Sequence, residues 1–317
     1  MDKVRLGRTE LQVSPICYGT WQFGGDWGKV DESAAIDAIR HARDRGVTFF
    51  DTAQGYGFGI AERILGRALD GDRDNVVIAT KGGLRMDGDD LVRDSSPAWL
   101  RQGVEASLEA LGTDHIDLYQ VHWPDPGTRL ADSAQALRDL VTEGLIRHVG
   151  VSNFDTDHLR AFPGVETLQP PYHLFHRDIE ADVLPYAAEH DLGVLAYGPL
   201  AHGLLGGGFD EHTTFPDDDW RSQSPDFTGP GFLRNLEIVA ELRRYAERLG
   251  ATVGQLAIAW VLAHPDVHVA IVGARNPRHL DESLTAADLT LGQDDLAEIN
   301  RIMSGAAPIS GPTPEGM

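Results

Sequence analysis

Cysteine is nearly absent from this 317-residue chain: Cys17 stands alone, which excludes an intrachain disulfide and a thiolate metal cluster and suits a reducing compartment. Lysine is scarce as well, with only Lys3, Lys29 and Lys81 among 27 basic residues. No long hydrophobic run exists; the longest, around Ala257–Ala263, is far too short to span a bilayer. The opening Met1-Asp2-Lys3-Val4-Arg5 carries no apolar signal core, so a cytoplasmic protein without membrane contact is expected. Positive charge is outweighed by 49 acidic residues, leaving a formal net charge of −22. That surplus repels nucleic acid and anionic membranes, and any phosphate-bearing ligand needs a locally cationic pocket. Repeats, domain-boundary linkers and long heptads are also missing, which predicts a single domain over residues 1–317 that is monomeric.

What is present is an alternation. Val4 to Val13 reads as a β-hairpin around Gly7-Arg8-Thr9-Glu10. Apolar runs follow at Ile16–Gly19, Thr48–Asp51, Val76–Lys81, Ile116–His122, His148–Ser152, Glu166–Gln169, Gly193–Tyr197 and Val269–Gly273. Helical patterns separate them near residues 32–45, 59–70, 98–111, 130–143, 156–162, 179–190, 235–249 with 252–263, and 277–286. Eight strands with intervening helices predict an α/β fold, a (β/α)8 TIM barrel, with the hairpin before it and a helix at Gln293–Met303 after it. The Gly/Pro-rich tail from Ser304 is expected to be mobile. The one long insertion, Ala201 to Gly231, follows the seventh strand and reads as a lid or binding loop.

The strand ends carry the chemical signal. Asp51 closes the second strand, Lys81 the third and His122 the fourth; Ser152 with Asn153, Gln169, Tyr197 and Gly273 close the rest. In a barrel these ends share the face on which active sites are built. One Asp, Lys or His at a strand end is ordinary, whereas a series of them on one face is not. An Asp51–His122 metal site is the competing reading, but no further His or acidic cluster stands at these ends, so no metal is expected. A Rossmann turn is also excluded, because Gly55, Gly57 and Gly59 have the wrong spacing and Gly206-Gly207-Gly208 falls in the long loop.

Asp51-Thr52-Ala53-Gln54-Gly55-Tyr56-Gly57, with Gly59, Glu62 and Gly66, resembles the signature of the aldo-keto reductases. The segments around Lys81, around His122 in Asp117 to Trp123, and at Gly150-Val151-Ser152-Asn153-Phe154, Ala196 to Leu200 and Gly273 to Pro277 are similar to that family's in the same order. The resemblance covers nearly the whole chain and is nearest to the bacterial and channel β-subunit-like branch. It implies an NAD(P)H-dependent oxidoreductase that reduces aldehydes or ketones, with Asp51, Tyr56, Lys81 and His122 catalytic. It further implies Ser152, Asn153 and Gln169 on the nicotinamide carboxamide, Tyr197 stacked on its ring, and Gly198, Pro199, Leu200 and Gly203 along the pyrophosphate. Thr20, Trp21 and Asp51 complete the cofactor side; Gly273, Arg275, His279, Glu282 and Ser283 surround the adenosine end. His279 and Ser283 depart from the family's usual residues there. Arg275 favours NADP(H), with NAD(H) possible.

The chemistry agrees. Hydride addition to a carbonyl creates an alkoxide-like oxygen that needs a proton and charge stabilisation. A tyrosine alone is a reluctant donor at neutral pH, and a neighbouring ammonium favours its phenolate. In a chain that uses arginine almost throughout, Lys81 supplies that compact charge, Asp51 holds it, and His122 donates to the substrate oxygen. Trp21, Trp27, Trp123 and Trp220 predict an aromatic-lined cleft for a fairly apolar carbonyl compound. A cofactor-binding redox sensor with little turnover, and a barrel hydrolase or isomerase, are the alternatives.

Overall fold

The computed structural model describes residues 1–25, 28, 30–217 and 219–314; Trp27 and Lys29 lie outside the described residues. Strands β1 (Val4–Arg5) and β2 (Gln12–Val13) pair antiparallel as the expected hairpin. Gly7 turns it at φ +52° and passes so close under the barrel that a Cβ there would stand 2.2 Å from the Gly193 nitrogen. Leu6, Leu11 and Val13 thereby plug the barrel floor, packing with Cys17, Phe49, Leu118 and Leu195. Cys17 is buried there; burial, then the charge of Asp51, pushes its thiol up.

Above the plug rise β3 (Ile16–Gly19), β4 (Phe49–Asp51) and β5 (Val77–Gly82). A second hairpin, β6 (Leu84–Asp87) with β7 (Asp90–Arg93), was not anticipated and lies outside the barrel. Its two-residue turn, Gly88-Asp89 between the paired Asp87 and Asp90, has Gly88 at φ +66° and is a hairpin signal present in the sequence. Next come β8 (Ile116–Val121), β9 (Ile146–Ser152), β10 (Thr167–Gln169), β11 (Gly193–Tyr197) and β12 (Val269–Val272). The eight strands β3, β4, β5 and β8 to β12 are all parallel and close on themselves where β12 pairs with β3, giving the expected (β/α)8 TIM barrel.

Helices α1 (Glu32–Asp44), α2 (Ile60–Ala68), α3 (Pro97–Leu111), α4 (Leu130–Thr142), α5 (Thr156–Ala161) and α6 (Val183–Glu189) follow the first six barrel strands. Their ends obey side-chain chemistry: Ser96 caps α3 by accepting from the Trp99 amide, Pro97 starts it, and Gly112 stops it in the left-handed region. The helix expected from residue 235 begins earlier, since α7 spans Gly229–Arg248 with Pro230 in its first turn. Helix α8 (Val253–Leu262) is nearly all buried and opens on a Thr252/Gln255 capping box. Helices α9 (Pro277–Leu284) and α10 (Gln293–Ile302) complete the set. Among the described residues no helix is long and apolar enough to cross a membrane.

The expectation of a mobile tail fails for residues 304–314. Ile309 is fully buried, and its amide donates to the Phe175 carbonyl at 3.1 Å. The Asn235 side chain and the Ala307 backbone exchange two hydrogen bonds, at 2.9 and 3.1 Å. Composition suggested looseness, but the buried Ile309 and Pro314 and these backbone hydrogen bonds dock the strap. The described residues of the insertion, 201–217 and 219–231, form short 3-10 turns and are anchored by a ring cluster of Phe209, Phe215 and Phe227.

Candidate active site

Period-two alternation fixes what faces inward. Phe49, Ala79, Leu118, Leu195 and Ile271 belong to the inner packing cluster, while Phe50, Ile78, Tyr119, Ala196 and Val272 pack outward against the helices. Two residues beyond the inner set, still inward, stand Asp51, Lys81, Gln120, Tyr197 and Gly273. A shift of one residue would send every one of them to the helix layer.

At the centre Lys81, 1% exposed, donates from Nζ to Asp51 Oδ1 at 2.6 Å, to the Thr52 carbonyl at 2.9 Å and to the Tyr56 hydroxyl at 3.2 Å. Burial works against its charge, but Asp51 and Tyr56 outweigh that and hold the ammonium above its ordinary pKa. The other Asp51 oxygen accepts from Gln169 Nε2 at 2.9 Å. Tyr56 reaches this group because its loop is tied down on both sides: the Gln54 amide donates to the Lys81 carbonyl at 2.9 Å, and the Tyr56 amide to Ala53 at 3.0 Å. Beyond it Gly57, Phe58 and Gly59 run left-handed at φ +65°, +46° and +93°. A Cβ on Gly57 would meet the Gly24 carbonyl at 2.5 Å, so that position requires glycine.

His122 extends β8 by one further backbone bond, its amide donating to the Gly82 carbonyl at 2.9 Å. Its ring meets the Tyr56 ring edge-on at 5.8 Å. Its enclosed surroundings, and then the Lys81 charge, push it well below the usual histidine pKa, so it is neutral at physiological pH. Trp21 stacks on the other side of Tyr56, with centroids 6.3 Å apart and planes at 26°. Trp123 lies under the Arg93 guanidinium at 5.0 Å, and Trp220 sits farther out against His202.

Beside this group runs a polar chain. Ser152 Oγ donates to the Gln169 carbonyl at 2.8 Å, Asn153 Nδ2 to the His122 carbonyl at 3.0 Å, and Tyr197 OH to Asn153 Oδ1 at 2.8 Å. Asn153 holds this place with left-handed backbone, φ +61°. Gln120 belongs to the chain, accepting from Gln169 Nε2 at 3.3 Å. Sequence reasoning missed Gln120, although its parity between Leu118 and His122 marks it as inward. Thr20 is buried at the same mouth, its Oγ1 without a hydrogen-bond partner among the described residues.

Farther along the rim, Gly198 and Gly203 turn left-handed around the buried Pro199 and half-buried Leu200. Gly273 is exposed, and a Cβ there would press on Gln22 Oε1 at 2.5 Å. Arg275 Nη2 donates to the Gln22 carbonyl at 3.2 Å, and Asn276 caps α9. Arg278, His279 and half-buried Glu282 lie on that helix, with Arg278 on Glu282 at 3.3 Å. Ser283 is buried, and its hydroxyl donates back to the His279 carbonyl at 2.9 Å. Among the described residues no group of three His, Cys, Asp or Glu side chains could hold a metal ion.

The donor set fits a nicotinamide dinucleotide. It combines amide-reading side chains at Ser152, Asn153 and Gln169, an aromatic face at Tyr197, an orphaned hydroxyl at Thr20, and a rim where glycines keep the backbone bare beside a helix amino terminus. Fold and mouth together define a barrel oxidoreductase. The model of the aldo/keto reductase family matches residues 15–304, and the chain belongs to that family. It is similar to the glycerol dehydrogenase AKR11B4 from Gluconobacter oxydans, a solved structure 39% identical with TM-score 0.89, covering 98% of this chain and 97% of that one. An aldo/keto reductase from Klebsiella pneumoniae, solved in complex with NADP and acetate, is 31% identical with TM-score 0.75 over 99% of this chain and 98% of that one. The NADH-specific methylglyoxal reductase of Escherichia coli K12 is 32% identical over 96% of this chain and 99% of its own length. This chain is accordingly an NAD(P)H-dependent oxidoreductase of carbonyl compounds.

Proposed function

We propose that Tyr56 is the proton donor in this carbonyl reduction, within one barrel domain spanning the chain, and that Asp51, Lys81 and His122 make that transfer possible. The observation that carries the reading is the buried Lys81 ammonium within 3.2 Å of the Tyr56 hydroxyl. The bound dinucleotide supplies the hydride. As the phenolic proton leaves for the substrate oxygen, negative charge builds on the Tyr56 oxygen, and the Lys81 ammonium stabilises it in a site with little water to screen it. Asp51 keeps that ammonium charged and aimed, and Gln169 holds Asp51 from the other side. Neutral His122 donates one hydrogen bond to the substrate oxygen and fixes its approach to Tyr56. Ser152, Asn153 and Gln169 would hold the carboxamide, Tyr197 the ring, and Gly198, Pro199, Leu200 and Gly203 the pyrophosphate. Thr20 and Trp21 close the near side, and Gly273, Arg275, His279 and Glu282 surround the adenosine end. The Ser283 hydroxyl, turned back into its helix, supports that end through the fold.

Arg275 and Arg278 beside the α9 amino terminus favour NADPH over NADH, and the Glu282 carboxylate on Arg278 weakens the preference. The NADH-specific methylglyoxal reductase and the Klebsiella pneumoniae reductase solved with NADP support keeping both cofactors open. We also assign a cytoplasmic monomer that binds neither nucleic acid nor membrane, on the charge balance and the absence of a long heptad. Adding NADPH or NADH while following tryptophan fluorescence, then the loss of cofactor absorbance with a panel of aldehydes and ketones, tests the reading. Quenching followed by turnover supports it. Quenching without turnover would make the protein a cofactor-binding sensor.

A further inference from the structure

After the seventh barrel strand the chain passes through two consecutive non-glycine residues in the left-handed region, Ala201 at φ +47° and His202 at φ +54°. Side chains rarely adopt this conformation, and it persists only where neighbours impose it. Here the neighbours are visible. Arg221 Nη1 donates to the His202 carbonyl at 2.9 Å, and the Asp219 carboxylate clamps Arg221 through Nε at 2.9 Å and Nη2 at 2.5 Å. The imidazole so placed is 8% exposed and stands edge-on to Trp220 at 5.0 Å and to Trp21 at 6.5 Å. Trp21 is the ring that stacks on Tyr56, so His202 lies one aromatic ring from the proton donor.

Tryptophan faces give a carbon chain good contacts but accept no hydrogen bond from it. His202 is the polar ring between the two tryptophans, with His173 edge-on to it at 6.0 Å and the tail's Gly311 so near that a Cβ there would stand 3.2 Å from Nε2; among the described residues its one hydrogen bond is at the backbone carbonyl. Burial, and then the Arg221 charge, lower its pKa to about 4, so the ring is uncharged at neutral pH and offers one donor and one acceptor. A largely buried imidazole whose ring pairs with none of the described residues leaves its hydrogen-bonding positions to a ligand oxygen. An uncharged ring in a chain of net charge −22 gives no special hold to a carboxylate.

We propose that His202 is a specificity-determining residue that hydrogen-bonds a second, uncharged oxygen of the substrate, selecting hydroxy- or oxo-substituted carbonyl compounds over hydrocarbon ones of equal size. The assignment rests on the reading of Tyr56 and His122 given above and deepens it by naming the substrate class. It also revises the expectation of a fairly apolar substrate, which counted the tryptophans and overlooked the histidine between them.

Hydroxyacetone and butanone have nearly the same shape and differ by a hydroxyl in place of a methyl, so their kcat/KM ratio isolates the second oxygen. The wild-type enzyme with NADPH should favour hydroxyacetone, and His202→Leu should lower the hydroxyacetone-to-butanone ratio about tenfold, the discrimination expected from one hydrogen bond. His202→Gln, which keeps a donor and an acceptor, should retain most of the ratio, and it serves alone if the leucine variant does not fold. NADPH affinity from fluorescence quenching should stay within twofold in both, which separates a substrate contact from a distorted cofactor channel. An unchanged ratio in His202→Leu, a ratio lost equally in His202→Gln, or a wild type that favours butanone overturns the assignment while leaving the proposed function intact. Failure of the wild type to reduce any carbonyl compound overturns both.

Discussion

Lys81→Met should be among the most damaging single changes in this protein, for stability as well as for turnover. The side chain is 1% exposed and makes three hydrogen bonds, to Asp51, Thr52 and Tyr56. Methionine fills most of the volume, so the cavity left behind is small and the loss is chiefly electrostatic. Asp51, 2% exposed, would keep the Gln169 bond on Oδ2 but lose the cation 2.6 Å from Oδ1. Leaving a buried charge unpaired in this way costs about 3–5 kcal/mol, against a typical total stability of about 5–15 kcal/mol. Urea denaturation at neutral pH, followed by circular dichroism, measures the difference. Because the cost arises from the stranded carboxylate, Lys81→Met combined with Asp51→Leu should recover at least about 2 kcal/mol of it while remaining inactive. A single variant within about 1 kcal/mol of the wild type would refute the reasoning, as would a double variant no more stable than the single.

Three further outcomes follow from other parts of the molecule. His122, His173 and His202 are all held neutral by burial, so the unfolded chain binds more protons than the folded one below its ordinary histidine range; stability is full above about pH 6.5 and falls as the pH drops toward 4. His202 alone accounts for about 3 kcal/mol of that fall, and urea titrations of wild type and His202→Gln between pH 4 and 7 should show the variant with the shallower slope. Gly82→Ala would place a Cβ 1.9 Å from the Tyr119 hydroxyl, costing about 1–3 kcal/mol, and Tyr119→Phe in the same chain should return part of it in chemical denaturation. Ile309→Ala should cost about 2–5 kcal/mol and expose the tail to limited proteolysis, whereas a tail without a structural role would melt and digest like the wild type.

Much of the barrel was legible because its strands are short, buried and regularly spaced, and because strand ends that share a face concentrate reactive residues at Asp51, Lys81 and His122. What escaped the sequence had specific causes. The β6–β7 hairpin hides behind Asp87-Gly88-Asp89, whose strands are half-exposed and lack a strong apolar run. The tail looked loose by composition, although Ile309 and Pro314 are both buried. Gln120 stayed invisible until strand parity set it beside Gln169, since an uncharged amide in an apolar run draws no attention. A buried carboxylate, Glu62, is 1% exposed outside the barrel wall and accepts from Thr80 Oγ1 at 2.6 Å; the signature contains it, but only the three-dimensional contact explains its place. His202 is the clearest case, because its importance lies in backbone angles that no sequence pattern displays.

The central claim is that the Tyr56 hydroxyl delivers the proton, and its removal tests it most directly. In single-turnover stopped flow with saturating NADPH and an aldehyde that the wild type reduces, Tyr56→Phe should bind the cofactor with nearly wild-type affinity yet show no NADPH oxidation above the enzyme-free rate. NADPH oxidation in Tyr56→Phe at a rate near that of the wild type would contradict the account.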